Sequence, residues 1–254
     1  CKNVIIRNNR VRSLCNGIKA GTDSSGGFQN ILIENNLIWQ TGIAGLALEL
    51  VDGGTMRNVT VRNLKMDVVE TPIFIKLGDR NRPIATSGGD VVPSTGVLQD
   101  VHISGVRATV NDAEKYTDAE RAMHNYVPYA SSITGVPGHL VERVYLRDVE
   151  IEIQGGYPPG TEEDARRTIE ENSKKYPENR MFGVLPATAF YVRHARDIHW
   201  KDVRVTVRQR DARPAFVLDD VHESTFDGVE VAGVSSALRF RVESNCTGVI
   251  LGKS

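Results

Sequence analysis

The chain has very little cysteine. Cys1, Cys15 and Cys246 are the only three in 254 residues, too few and too scattered to frame a disulfide-stapled fold or a zinc site. Cys15 reads as a free thiol inside a buried strand ladder. An excess of charge of one sign is also missing. Lys plus Arg number 31 and Asp plus Glu 32, a formal net charge of -1 at pH 7, which gives no basis for binding nucleic acid or an anionic membrane. No apolar run approaches the roughly 20 residues that a membrane-spanning helix needs. Aromatics make up only 6% of the chain, so any core has to be mostly aliphatic. The opening residues carry neither the basic nor the apolar stretch of a secretory leader. They begin inside a strand-like pattern, Cys1-Lys2-Asn3-Val4-Ile5-Ile6-Arg7-Asn8-Asn9, and an N-terminal portion is expected to precede Cys1.

What the chain does have is a repeat. A short polar residue, a Val or Ile, any residue, another β-former and a polar turn residue recur as Asn3-Val4-Ile5-Ile6-Arg7-Asn8, Asn30-Ile31-Leu32-Ile33-Glu34-Asn35 and Asn58-Val59-Thr60-Val61-Arg62-Asn63, spaced 27 and 28 residues apart. Weaker echoes begin at Asp100, Arg143 and Asp197, where the spacing stretches to 42, 43 and 54. Between them lies a second set of strands: Gly17 to Gly21, Gly45 to Leu50, Pro72 to Leu77, Phe190 to Arg193 and Ala215 to Leu218. Period-two alternation puts Ile18, Leu46, Leu48, Ile73 and Ile75 on one face. Two or three short strands per unit of about 27 residues predict an all-β fold, a right-handed parallel β-helix. One unit cannot bury its apolar face, whereas stacked units pair every strand around a continuous core. The Asn residues fall at corresponding corners, where their side chains tolerate left-handed turns. One domain, 1–254, is expected.

Two segments interrupt the rhythm, about 110–130 and 154–188. The second opens on Gly155-Gly156-Tyr157-Pro158-Pro159-Gly160. It predicts a helix from Glu162 to Lys174, with acids early and lysines late. Long insertions on one side of a stack build cleft walls, and Tyr126, Tyr129, Tyr157 and Tyr176 within them are candidates to stack on sugar rings.

The stretch from Asn3 to Arg80 resembles glycoside hydrolase family 28, the polygalacturonases. The resemblance rests on Asn16-Gly17-Ile18-Lys19-Ala20-Gly21-Thr22, Gly26-Gly27-Phe28-Gln29-Asn30-Ile31, Gly45 through Gly54, and Pro72-Ile73-Phe74-Ile75-Lys76-Leu77-Gly78-Asp79-Arg80. Ser131 through His139 and Met181 through Pro186 are similar to later blocks of bacterial members. The resemblance implies inverting hydrolysis of galacturonate-containing polysaccharide, by carboxyls about 6.5–9.5 Å apart, in a secreted or periplasmic protein. The family's Asn-Thr-Asp and Asp-Asp motifs lie upstream of the matched region, so the catalytic aspartates are expected before residue 1. Asp219-Asp220 does not match them and receives no catalytic role. Cys15-Asn16-Gly17 stands where the family has Gly-His-Gly, and Ala47-Leu48-Glu49 where it has Arg-Ile-Lys. A divergent subgroup acting on substituted or rhamnogalacturonan-type pectin is therefore implied. The alternatives are a β-helical lyase and a non-catalytic glycan-binding β-helix.

The candidate substrate-binding residues follow from the strand pattern. With Ile18, Leu46 and Ile73 inward, Lys19, Ala47 and Phe74 share an outward ladder, and Glu49 and Lys76 are neighbours on the next. Lys19 is read as meeting a uronate carboxylate, Ala47 as leaving room for a sugar, and Arg80 as holding a carboxylate through two hydrogen bonds. Asn16 and Asp52 are read as hydroxyl partners, and His139, after a Gly-Pro turn, either as pointing towards the cleft or as a surface histidine. Glu49 and Lys76 are read either as ligands or as an exposed cross-strand ion pair. His102, His194, His199 and His222 lack metal-ligand spacing and read as structural. No metal or cofactor is expected, and the partner is a polysaccharide.

Overall fold

A computed structural model of the chain describes residues 1–110, 129–156 and 161–252. It is nearly all β. In chain order the strands are β1 (Lys2–Arg7), β2 (Arg10–Ser13), β3 (Ile18–Ala20), β4 (Phe28–Leu50), β5 (Thr55–Leu77), β6 (Ile84–Thr86), β7 (Gly89–Val91), β8 (Val97–Val110), β9 (Ser131–Thr134) and β10 (Val141–Ile153). A short helix α1 (Glu162–Ala165) precedes β11 (Phe190–Val207), β12 (Phe216–His222), β13 (Thr225–Ala232), β14 (Phe240–Val242) and β15 (Ile250–Leu251). Apart from the β6–β7 hairpin, the pairing between these strands is parallel.

The 23-residue lengths of β4 and β5 hide corners. Single residues in the left-handed region bend the chain without a loop: Asn30, Asn35, Asn58 and Asn63 have φ of 57, 55, 55 and 52°. Asn meets this need because its short amide bonds locally and lowers the cost of positive φ. The amides also join stacked strands. Asn30 donates to Asn3 and Asn58 to Asn30, both at 2.8 Å, and Asn63 donates to Asn35 at 3.1 Å. In the later repeats Asp100, Asp148, Asp197 and Asp202 take the corners. At Gly105, with φ of 62°, an added Cβ would sit 2.9 Å from Asn63 Oδ1, so no side chain fits above that amide.

The corners sort the strands into three parallel rows. The first runs through β1, the opening parts of β4, β5, β8 and β10, the middle of β11, then β13 and β15. The second starts at β2 and continues through the later parts of β4, β5, β8 and β10. The third runs β3, the end of β4, the end of β5, β9, the start of β11, β12 and β14. Inward residues of all three rows form one core, aliphatic around Ile33, Val61 and Ile103. Further along, the core becomes aromatic, where Trp200 stacks on Phe226 at 5.4 Å and Phe190 on Phe216 at 5.5 Å.

Two expectations need correction. The helix predicted over Glu162 to Lys174 stops at Ala165. Thr161 closes a capping box with Asp164, but beyond it the backbone is claimed by the third row. Arg193 Nη1 donates to the Ile169 carbonyl at 2.8 Å, and Asp79 N to the Ser173 carbonyl at 3.1 Å. Tertiary docking overrides helix propensity here, and residues 161–188 form a strap across the row. Second, Cys15 is exposed rather than buried, because it lies in the turn between two strands, β2 and β3, that pair on one side only. The insertion expected at about 110–130 is described only at its two ends, so Tyr126 lies outside the described residues, as does Tyr157. Among the described residues no helix is long and apolar enough to cross a membrane.

Candidate functional site

The third row carries the candidate residues, and its register is the one expected. Lys19 pairs with Ala47 and Ala47 with Phe74, while Glu49 pairs with Lys76. The outward ladders then continue further than the sequence reading took them. One runs Phe74, Ser132, Tyr191, Val217, Arg241; the other runs Lys76, Thr134, Arg193, Asp219. Strand pairing holds such neighbours about 4.8 Å apart, so a chain-like ligand lying along the row would meet one side chain from each strand.

The strap changes what half of this row can do. Ala47 and Phe74 are fully buried beneath Met181 and Phe182. The space predicted for a sugar beside Ala47 is filled by these two side chains. Glu49 and Lys76 are buried as well and do not form the exposed pair expected of them. Glu49 turns to Lys19, whose Nζ lies 2.8 Å from Oε2. Lys76 Nζ donates to the Gly135 carbonyl at 3.1 Å and lies 5.3 Å from the Phe182 ring centre. Burial pushes the Glu49 carboxyl up to about 7 against the opposing pull of Lys19. The same cause pushes the Lys76 ammonium down to about 8. Oε1 of Glu49 and the Thr134 hydroxyl make no hydrogen bond of good geometry among the described residues.

The remaining candidates are engaged with the protein itself. Arg80 closes its guanidinium on Asp52, through Nε at 2.9 Å and through Nη2, and Arg82 N donates to the same carboxylate at 3.1 Å. Burial raises the pKa of Asp52, but these hydrogen bonds outweigh it and hold the carboxyl below its ordinary value. The two-point grip foreseen for a substrate carboxylate is thus made on Asp52. Asn16 Oδ1 accepts from Ala44 N at 3.1 Å, bracing the start of the third row rather than offering itself to a hydroxyl. Lys19 keeps some exposure and lies 5.1 Å from the ring centre of Tyr176, whose hydroxyl is 3.0 Å from the Thr22 hydroxyl. His139 is exposed on a turn closed by two backbone hydrogen bonds with Val136.

Several residues that matter here were not singled out from sequence. Glu70 and Arg180 pin the strap through two hydrogen bonds, one of 2.8 Å from Nε, and Asn179 adds another of 2.8 Å to Glu70. The Glu70 carboxyl is raised by burial despite these donors. Glu171 reaches Arg193 and lies 3.1 Å from His194 Nε2, while His194 Nδ1 is 2.6 Å from Asp220. This histidine is buried between the two carboxylates. Asp219 faces the opposite way from Asp220. It accepts from the Tyr191 hydroxyl at 3.2 Å and Asn245 Nδ2 at 2.9 Å, and lies 3.0 Å from Arg193 Nε. Period-two alternation over Phe190 to Arg193 is the signal that could have marked Tyr191 and Arg193 as outward; it carries no sign of which of them the strap covers.

Beyond the strap's first turns the row does open. A cleft of about 580 Å³ lies between Arg167 and Ile169 on one side and Tyr191, Val217, Asp219 and Arg241 on the other. A smaller one of about 330 Å³ lies beside Asp52, Arg82 and Ile84. Among the described residues no group of His, Cys, Asp and Glu is placed to hold a metal ion. No protein-family model, curated protein or solved structure matches the chain.

Proposed function

We propose that the chain is a right-handed parallel β-helix forming part of a glycoside hydrolase of the polygalacturonase type. It acts outside the cytoplasm on galacturonate-containing polysaccharide, pectin or a rhamnogalacturonan-type pectin. The observation that carries this reading is the third row. Seven successive strands present their outward side chains in register, one ladder is charged at four of its five positions from Glu49 to Asp219, and the row runs out from under a wall into an open cleft. A polymer with one acidic group per sugar suits such a surface, since each strand offers a contact at a regular step. The acid and base of inverting hydrolysis are proposed to come from outside the described residues.

A second reading, a β-helix that binds glycan without turnover, is favoured by Arg80 being closed on Asp52 and by Glu49 and Lys76 lying under the strap. One set of measurements separates them. The purified chain is expected to bind polygalacturonate or rhamnogalacturonan in affinity electrophoresis while releasing no reducing ends. Failure to bind any galacturonate-containing polymer overturns the proposal. Unsaturated uronide products, seen as ultraviolet absorbance, replace it with a lyase. If catalysis appears when upstream sequence is joined to the chain, the hydrolase reading stands over the binding one.

A further inference from the structure

We infer that the open cleft at the end of the third row is a binding subsite for a single acidic sugar residue. The ring lies in the cleft against the polar groups of its rim, and the carboxylate is held by Arg167 and Arg241. This deepens the reading above and rests on it for the identity of the polymer, though not for the chemistry of the cleft.

The residues beneath the cleft are closely packed. Val217 and Tyr191 are almost wholly buried and pack with Ile169 and Leu185 in a small cluster of their own, separate from the main core. A pyranose presents a rim of hydroxyls, and the accessible lining of the cleft is mostly polar, with Ser244 and Asn245 beside the arginines, so a sugar is met there through hydrogen bonds. Asp219 fixes the floor before any ligand arrives. By holding the Tyr191 hydroxyl, Arg193 and Asn245 at once it leaves few rotamers to be lost on binding. Arg193 itself contributes no contact to the ligand, because Glu171, Asp219 and the Ile169 carbonyl take its guanidinium.

The rim carries the charge. Arg167 is half-exposed, with only Nη2 engaged, 3.0 Å from Asp164. Arg241 lies 2.8 Å from Glu243 through Nε and donates to the Ala165 carbonyl through Nη1, and its Nη2 has no partner among the described residues. Two guanidiniums with N–H groups to spare, both lining one cleft, match a carboxylate attached to a ring. The volume of about 580 Å³ falls within the roughly 300–1,000 Å³ usual for small-ligand sites.

The test is calorimetric titration of the full chain with three oligosaccharides of equal length, built from galacturonate, glucuronate and galactose. The wild-type protein is expected to prefer an acidic oligomer over the neutral one by about tenfold, the scale of a charge-assisted contact. Arg167→Gln and Arg241→Gln are each expected to erase most of that preference without weakening the neutral oligomer. Both arginines touch α1, Arg167 through Asp164 and Arg241 through the Ala165 carbonyl, so each variant is paired with a melting curve. Acidic binding undiminished in a folded Arg167→Gln and a folded Arg241→Gln overturns the subsite and leaves the pectin reading standing. Binding of glucuronate but not galacturonate, lost in Arg167→Gln, supports the subsite and sinks the pectin reading. A wild-type preference for the galactose oligomer overturns the subsite.

Discussion

The two halves of the third row are built alike and end differently. Around Glu49 and Lys76 the outward ladder is sealed beneath Met181, Phe182 and Tyr176, so a carboxyl and an ammonium sit out of water one strand apart without pairing. Around Arg193 and Asp219 the same ladder faces a cleft, and its charges are matched to each other and to the strap. Strand register chooses which residues stand side by side. A segment more than a hundred residues further along the chain chooses which of them meet solvent.

The strap is the obvious place to break this contrast. Glu70 is buried with Arg180 and Asn179 as its donors, and removing one partner of a buried pair leaves an uncompensated charge. Arg180→Ala is expected to destabilise the fold by about 3 kcal/mol in urea unfolding. The strap should then become cleavable by trypsin near Lys174 and Lys175, while the remainder resists. An intact strap in this variant would mean that the contacts of Phe182 and Ile169 alone hold it.

A finer probe uses pH. Because Glu49 is raised to about 7, the folded protein keeps a proton there that the unfolded chain has already lost above about 4.5. Stability attributable to this group is therefore full below pH 4.5, declines as pH climbs to about 7 and is level beyond. Lys76, lowered to about 8, acts in the alkaline range, where the folded protein gains relative stability from pH 8 to about 10.5. Glu49→Gln is expected to flatten the acidic slope, on the order of 2 kcal/mol between pH 4.5 and 7, in melting curves taken across that range. An unchanged slope would place the titration elsewhere. The smallest effect should come from His139→Ala at its exposed turn, within about 0.5 kcal/mol of wild type and without change in glycan binding.

Much of this architecture was legible from sequence. The Asn-led repeat gave the period, and alternation gave the facing pairs Lys19 with Ala47 and Glu49 with Lys76, all recovered in the register. Local patterns failed where distant chain intervened. The acidic start and lysine-rich end of 162–174 favour a helix, yet Ile169 and Ser173 are recruited by Arg193 and Asp79. Nothing near Glu49 or Ala47 foretells Phe182. Asp219 receives no role from sequence because the Asp219-Asp220 pair does not match the family's aspartate motifs, and the left-handed corner at Asp220, with φ of 56°, turns the two carboxylates to different neighbours.

The unequal filling of the core has a practical consequence for watching this molecule come apart. Of its two tryptophans, Trp200 is fully buried in the aromatic cluster with Phe190, Phe216 and Phe226, whereas Trp39 sits half-buried in the second row, one strand in from β2. Fluorescence from a Trp39→Phe protein would report fraying from the C-terminal side alone, and that from a Trp200→Phe protein fraying from the opposite side. Two emission signals would thus tell whether the stack unravels from one end or melts as a unit.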